Sequence, residues 1–388
     1  MPRGSQLIAF LVASTFWISM ITYVGWRLLG PAELSWRARW LARLGLAALA
    51  VLPLVAMVSG RTPGAGTSPN WQPWSWAGFL AMGFGSLLVL LMLAVDCVRI
   101  VLAIGRGLAR LLGASAPAPA PERRRFLLRS VNAGVLGSAG AITAVGLVNT
   151  LRLPAVKEVE IPIAGLAPAL AGLRIAQLTD IHIGPTLKRE YMERLVARTN
   201  ALEADLIAVT GDLIDGFVDQ LAHHVAPLGG LRAPLGVYFV TGNHEYYWDG
   251  PAWCEHVRSL GLDVLNNEHR VRARGDASLV IAGVTDFRAG RHVADHESDP
   301  ARALAGAPED ALRLMLAHQP RSAPACHAAG VDLQLSGHTH GGQYFPLSAL
   351  IYLVEPFVAG LSLLRGAARG GRDTWLDVSR GSGYWRPP

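Results

Sequence analysis

Thiols are scarce in this chain of 388 residues. Only Cys97, Cys254 and Cys326 are present, and no two stand as Cys-x-x-Cys. That excludes a zinc ribbon, which needs paired thiolates. Cys97 lies in an apolar run, and spacing alone does not pair the other two, so all three read as free thiols. Charge is the second lack. The first 150 residues hold no lysine and only Glu33, Asp96 and Glu122 as acids, against thirteen arginines. The rest of the chain holds 22 basic and 26 acidic residues. The formal charge of +6 is therefore local to one end. It reads as the flank of a membrane segment, and a nucleic-acid surface, with nuclease action, is disfavoured.

What replaces charge is apolar length. Hydrophobic residues make up 51% of the chain and the mean hydropathy is +0.30, with the excess before residue 150. The chain divides naturally into a helical membrane region, 1–150, with about four spanning segments, and a second domain, 151–388. Three stretches, Leu7 to Leu29, Trp40 to Val58 and Trp76 to Ile104, approach or exceed the ~20 residues a spanning helix needs. Trp71, Trp74 and Trp76 sit where an interfacial aromatic belt would lie. Ala114 to Pro121 reads as a semi-rigid linker.

A weaker fourth stretch, Val131 to Val148, follows Glu122-Arg123-Arg124-Arg125-Phe126-Leu127-Leu128-Arg129. That run resembles a twin-arginine export signal read by export machinery, and Ala139-Gly140-Ala141 offers an A-x-A pattern. The alternative is a positive flank that holds a fourth helix in place. Both give one topology. Arg27, Arg37, Arg39 and Arg43 mark the first loop, and Arg99, Arg106, Arg110 and Arg123 to Arg125 the third, while the second carries only Arg61. The positive-inside rule puts loops one and three in the cytoplasm. The second domain is then extracytoplasmic, held by an integral anchor in the cell inner membrane.

From Leu173 onward the texture is different. Short apolar runs, Leu173 to Leu178, Leu206 to Val209, Val237 to Val240, Leu279 to Ala282, Leu312 to Ala317 and Leu333 to Leu335, read as buried strands. Helical patterns such as Arg189 to Ala204 and Ala252 to Leu260 lie between them, which predicts a layered α/β or α+β fold. A polar cluster follows almost every strand. They are Asp180-Ile181-His182, Gly211-Asp212 with Asp215, Gly242-Asn243-His244-Glu245, His318-Gln319-Pro320, and Gly337-His338-Thr339-His340-Gly341-Gly342-Gln343. On extended chain, the i and i+2 side chains of Asp180 and His182, and of His338 and His340, would face one side. Each cluster has a bland reading: Gly-Asp as a turn, or Asn243 as a helix cap. Five of them at strand ends point instead to one site. The donors are oxygen and imidazole without thiolate, which suits Mn, Fe, Zn or Ni.

The order Asp-x-His, Gly-Asp, Gly-Asn-His-Glu, His, Gly-His-x-His over Leu173 to Gln343 resembles the calcineurin-like metallophosphoesterase family. Gly242 to Tyr247, Leu316 to Pro320 and His340 to Gln343 are similar to its membrane-associated branch with exported phosphodiesterases. The resemblance implies a four-layer α/β/β/α sandwich and a site for two divalent metal ions. It implies that Asp180, His182 and His340 hold one metal, that Asn243, His318 and His338 hold the other, and that Asp212 bridges both. It further implies that His244 contacts the phosphate and protonates the leaving oxygen. Asp215 matches a position that orients this histidine in some relatives. There an arginine follows; here Gly216 does, which speaks against a phosphoprotein phosphatase.

His223, His224, His256, His269, His292, His296 and His327 read as surface residues. Gln343 and Tyr344 are placed near the cleft, and Asp286 resembles a family loop residue without an assignable role. The tail from Val378 to Pro388 also resembles the family, and a last edge strand is expected to be missing or supplied differently. The leading expectation is a membrane-anchored enzyme in which metal-activated hydroxide hydrolyses phosphoesters of a membrane-associated, lipid or lipid-linked substrate. The alternatives are a broad phosphodiesterase for small soluble esters or nucleotides, and a non-catalytic metal- or ligand-binding sensor.

Overall fold

The computed structural model describes residues 4–59, 72–113, 120–343, 351–366 and 373–384. The described chain divides into two compact units, with the boundary in sequence between Leu151 and Arg152.

The first unit is helical, with α1 Gly4–Leu29, α2 Trp36–Ser59, α3 Gln72–Leu111 and α4 Pro121–Leu151. All four are long and apolar enough to cross a membrane. Two differ from expectation in length. Helix α3 has 40 residues, which at ~1.5 Å each is about twice a ~30 Å hydrocarbon core. Helix α4 starts at Pro121, where a missing N–H costs nothing, so the arginine run and the apolar run form one helix. Most of the expected linker (114–119), Trp71 and Arg61 lie outside the described residues. Val24, Leu88, Met92, Val135 and Ala139 pack into this unit's core.

Polar side chains tie the helices together at one end. Arg27, near the end of α1, reaches both Asp96 carboxylate oxygens at 2.9 and 2.7 Å, and Tyr23 donates to Asp96 at 2.6 Å. From α4, Asn132 donates to the Arg27 carbonyl at 2.9 Å, while Arg125 and Arg129 pair with Glu33 at 3.1 and 2.5 Å. The basic loops of the sequence thus converge on one end of the bundle.

The second unit stacks two sheets. The first is parallel throughout, in the order β1 (Ile175–Leu178), β2 (Leu206–Thr210), β3 (Val237–Val240), β4 (Asp263–Val264). The second contains β5 (Glu268–Arg274), β6 (Ala277–Gly283), β7 (Leu312–Leu316), β8 (Leu333–Ser336), β9 (Gly360–Leu364) and β10 (Thr374–Val378), in the order β5-β6-β7-β8-β10-β9. Alternation decides the layers. Leu206, Ala208, Tyr238 and Val240 meet Leu279, Ile281, Leu314, Leu316, Leu333 and Leu335 in the core between the sheets. On the far face of the second sheet, Val280, Ala282, Met315 and Ala317 pack on Ala303 of α9 (Pro300–Ala303) and Cys326 of α10 (Ala323–Ala328). The first sheet is accompanied by α5 Arg189–Asn200, α6 Val218–Val225, α7 Asn243–Tyr247 and α8 Gly250–Ser259. Helix α5 buries Met192, Leu195 and Val196 and exposes its charged side. Cys254 and Cys326 are buried and unpaired, and Cys97 is exposed.

The six expected strands form, and β4, β5, β9 and β10 add to them. Strand β5 carries Arg270, Arg272 and Arg274 and no continuous apolar run, which hides it from a hydrophobicity reading. Ahead of the tail, β10 inserts parallel to β8, and β9 pairs antiparallel outside it as the edge of the second sheet. Beyond β10 the tail turns back under the first sheet. Ser382 N–H donates to the Thr179 carbonyl at 2.7 Å, Gly383 N–H to the Asp180 carbonyl at 3.1 Å, and Tyr191 O–H to the Ser382 carbonyl at 2.5 Å.

Candidate metal centre

Parallel strands end side by side, so the loops after β1, β2, β3, β7 and β8 converge on one spot, as open α/β sheets place their sites. Asp180 and His182 follow β1, Asp212 and Asp215 follow β2, Asn243 and His244 follow β3, His318 follows β7, and His338 and His340 follow β8.

The local backbone is not the extended chain that alternation would need. Asp180, His182, Asp212, His338 and His340 all have positive φ, between 50 and 73°. They are five of the eight non-glycine residues in that region among the described residues. Such conformations cost about 1–3 kcal/mol each and persist where surrounding contacts over-determine them. Those contacts are visible. Asp180 N–H donates to the Gly211 carbonyl at 3.0 Å, and His182 N–H to the Asp212 carbonyl at 3.1 Å. His338 N–H donates to the Asp180 carboxylate at 3.0 Å. A Cβ on Gly242 would collide with the Asp212 carboxylate, and one on Gly337 with that of Asp180.

Two triads of donor atoms result, each with its atoms within 4.8 Å of one another: Asp180, His182 and His340, and Asp212, His318 and His338. A third, His182, Asp212 and His244, joins them. In the first triad the Nε2 atoms of His182 and His340 are 3.1 Å apart, and His340 Nε2 is 3.3 Å from Asp180 Oδ1. In the second, His318 Nε2 is 3.2 Å from Asp212 Oδ2 and 3.3 Å from His338 Nδ1. The His318 Nδ1–H donates to the Thr210 carbonyl at 2.8 Å, which points Nε2 at the cluster. Asn243 Oδ1 is buried without a hydrogen-bond partner among the described residues. An orphaned amide oxygen is costly unless something positive meets it. Asp212 therefore lies between the triads, with His182 Nε2 and His244 Nε2 each 3.9 Å from its Oδ2.

Electrostatics follows from that crowding. Burial acts to raise the Asp212 carboxyl, but the imidazoles, His318 foremost, hold it well below the usual carboxylate range. Burial acts to lower His318, yet Asp212 outweighs it and pushes it up to about 10. A cation held by Asp212 would compete with that proton. Burial pushes His338 and His340 down to about 4, which keeps them neutral with lone pairs available for a metal. The donor set, the neutral imidazoles and the orphaned oxygen all fit divalent ions.

His244 points differently. Its Nδ1 lies 2.6 Å from Asp215 Oδ1, which leaves Nε2 toward the cluster. Burial alone would lower it, but Asp212 and then Asp215 raise it to about 9. Its backbone N–H donates to Asp212 Oδ1 at 2.9 Å.

Sequence reasoning passed over Glu245. Fully buried, it accepts from Asp212 N–H (3.0 Å), Leu213 N–H (2.8 Å) and Gly242 N–H (2.6 Å), binding the β2 and β3 loops together. Its place at the third position of α7 after a glycine was the available signal. Gly242, and not Asn243, occupies the cap position of α7. Asp286 is buried and accepts from Gln319 Nε2 at 2.7 Å. His292 is exposed, as expected of a surface residue, and also lines the cleft beside the cluster. Gln343 is exposed, and Tyr344 lies outside the described residues.

Comparison with known proteins places the second unit in a known family. The family model for calcineurin-like phosphoesterases matches residues 173–342, the span from just before β1 to the glycines after His340. A Bos taurus "Transmembrane protein with metallophosphoesterase domain" is 40% identical over 277 residues, 69% of this chain and 61% of that protein. The Danio rerio protein of the same name is 34% identical over 329 residues, 83% of this chain and 71% of that one. A Bacillus subtilis protein, "Uncharacterized metallophosphoesterase YkuE", is 31% identical over 280 residues, 69% of this chain and 92% of its own length. The chain thus spans about three fifths of the bovine relative's length. With four membrane-compatible helices ahead of it, the second unit and its donor cluster identify the chain as a membrane-associated member of the calcineurin-like phosphoesterase family, metal-dependent hydrolases of phosphoester bonds.

Proposed function

We propose that the chain is a membrane-anchored phosphoesterase with a dinuclear centre. Asp180, His182 and His340 would hold one divalent ion and Asn243, His318 and His338 the other, with Asp212 shared between them. Two such ions supply a nucleophilic water near neutral pH and neutralise phosphoryl oxygens. The chain's own groups do the rest. Neutral imidazole and amide ligands keep the site cationic toward an anionic ester. Asp215 holds His244 by Nδ1, so that Nε2 can contact the phosphate and give its proton to the leaving oxygen. The observation that carries this reading is Asp212 between two triads, with a carboxylate-braced histidine beside it. Retention of all seven candidate ligands together with the His244–Asp215 pair speaks against a non-catalytic sensor.

The anchor favours a substrate held in or near the membrane over a small soluble ester. We read α4 as a resident helix and not as a twin-arginine export signal. Its arginines pair with Glu33, and Val135 and Ala139 are buried in the helical core. With the basic loops cytoplasmic, α4 leads the phosphoesterase unit to the extracytoplasmic side of the inner membrane. The test is a metal-loaded activity screen of the full chain over membrane lipids, lipid-linked sugars and simple diesters, with a topology reporter fused after Pro388. Preferred turnover of lipid-linked substrates and an extracytoplasmic reporter are expected. Equal turnover of soluble esters would sink the membrane-substrate reading, and a cytoplasmic reporter would overturn the topology.

A further inference from the structure

A cleft opens beside the cluster, and its charge is not explained by metal binding. Asn243 and His338 of the cluster line the cleft together with Tyr247, Arg288, Arg291 and Arg321. Two carboxylates also border it, but both are engaged. Glu355 is gripped by Arg321 at 2.9 and 2.8 Å. Asp286 is buried and accepts from Gln319 Nε2 and the Arg288 N–H at 2.7 and 2.9 Å. Arg288 and Arg291 are exposed, and among the described residues neither guanidinium has an ion-pair or hydrogen-bond partner.

The turn that carries them is nonetheless fixed. Ala289 is fully buried and donates its N–H to the Asp286 carbonyl at 2.9 Å, and Arg291 N–H donates to the Arg288 carbonyl at 3.0 Å. Through Asp286 and Gln319 the turn is tied to the residue next to His318. Along the wall, the Tyr247 ring lies 5.2 Å from His244 and 5.9 Å from His292. Two uncommitted guanidiniums on a rigid turn beside a phosphoester site are suited to bidentate recognition of another phosphate.

We infer that Arg288 and Arg291 form a second anion subsite, so that the preferred substrate is a phosphoester bearing a further phosphate on the part that lies past Tyr247. The inference deepens the phosphoesterase reading and rests on it for the reaction, but the binding can be measured separately. Full-length, metal-loaded protein carrying His244→Ala, which slows turnover, is titrated by calorimetry with glycerophosphoinositol 4-phosphate and with glycerophosphoinositol. The probe with the additional phosphate should bind about tenfold more tightly, the scale of one charge-assisted contact. Arg288→Ala/Arg291→Ala should remove that preference, the double Lys variant should restore part of it, and Arg302→Ala, exposed and outside the cleft lining, should keep it. Metal content checks that each variant is folded. Equal affinity for both probes, or an undiminished preference in the double Ala variant, overturns the subsite. The dioctanoyl lipid form of the first probe separates sources: tighter binding than its deacylated form marks a lipid headgroup, equal binding a soluble ligand. A preference without any phosphoester turnover in the unmutated protein would leave the subsite standing and sink the enzymatic reading instead.

Discussion

Both units bury charge, but they treat it in opposite ways. In the helical unit, Arg27, Asp96 and Tyr23 close on one another, with both Asp96 oxygens engaged. In the phosphoesterase unit, the donors crowd together with like facing like. His182 and His340 nitrogens are 3.1 Å apart, His318 and His338 nitrogens 3.3 Å apart, and Asn243 Oδ1 lacks a hydrogen-bond partner among the described residues. Strain follows the same division. Positive φ at non-glycine residues gathers on the candidate ligands, and none among the described residues falls in the four helices. A closed network is what holding helices together requires. An open one, maintained against strain, is what binding something further requires.

Breaking each region should therefore give different losses. His244→Ala should lower turnover of a diester by about 10²-fold or more while metal content stays near that of the parent. Loss of metal on elemental analysis would instead make His244 a ligand. Asp96→Leu leaves Arg27 unpaired where its side chain is 7% exposed. Removing one partner of a buried pair costs about 3–5 kcal/mol, less here because Asp96 is partly exposed. Thermal unfolding in detergent should show the helical unit destabilised, with metal content of the folded protein unaltered. Asp215→Asn should reduce kcat/KM by about tenfold and move its alkaline limb to lower pH. The sign follows from the role. A general acid must carry its proton, Asp215 helps to raise His244, and removing that charge lets the proton leave at lower pH. A limb that stays in place would show that Asp215 acts on geometry alone.

Much of the site was legible because its chemistry is local. Asp180, His182, Asp212, Asn243, His318, His338 and His340 each stand within a few residues of a buried apolar strand, and strand ends in parallel sheets converge. The apolar runs of β2, β3, β6, β7 and β8 announced themselves for the same reason. What stayed hidden depends on distant partners. Strand β5 is polar and joins β6 by a backbone ladder without an apolar run to announce it, and β10 takes its place between β8 and β9 by long-range register. The left-handed turn at Asp180 is held by backbone hydrogen bonds to Gly211 and to Gly383 in the tail, not by its own sequence. Glu245 read as part of a motif, yet its work is to gather three amides from two loops. Arg288 and Arg291 lie on an irregular turn with no periodicity to mark them.

The central claim is that the strained, open cluster is a two-metal phosphoesterase site built around Asp212. Its most direct test is elemental analysis of the purified full-length chain and its Asp212→Asn variant, each assayed on a simple diester. The account predicts about two divalent ions per chain in the parent. It predicts loss of metal in the variant, with a fall in turnover of about 10³-fold, the several kcal/mol a metal contributes at the transition state. Full metal content and activity in the Asp212→Asn protein would contradict it.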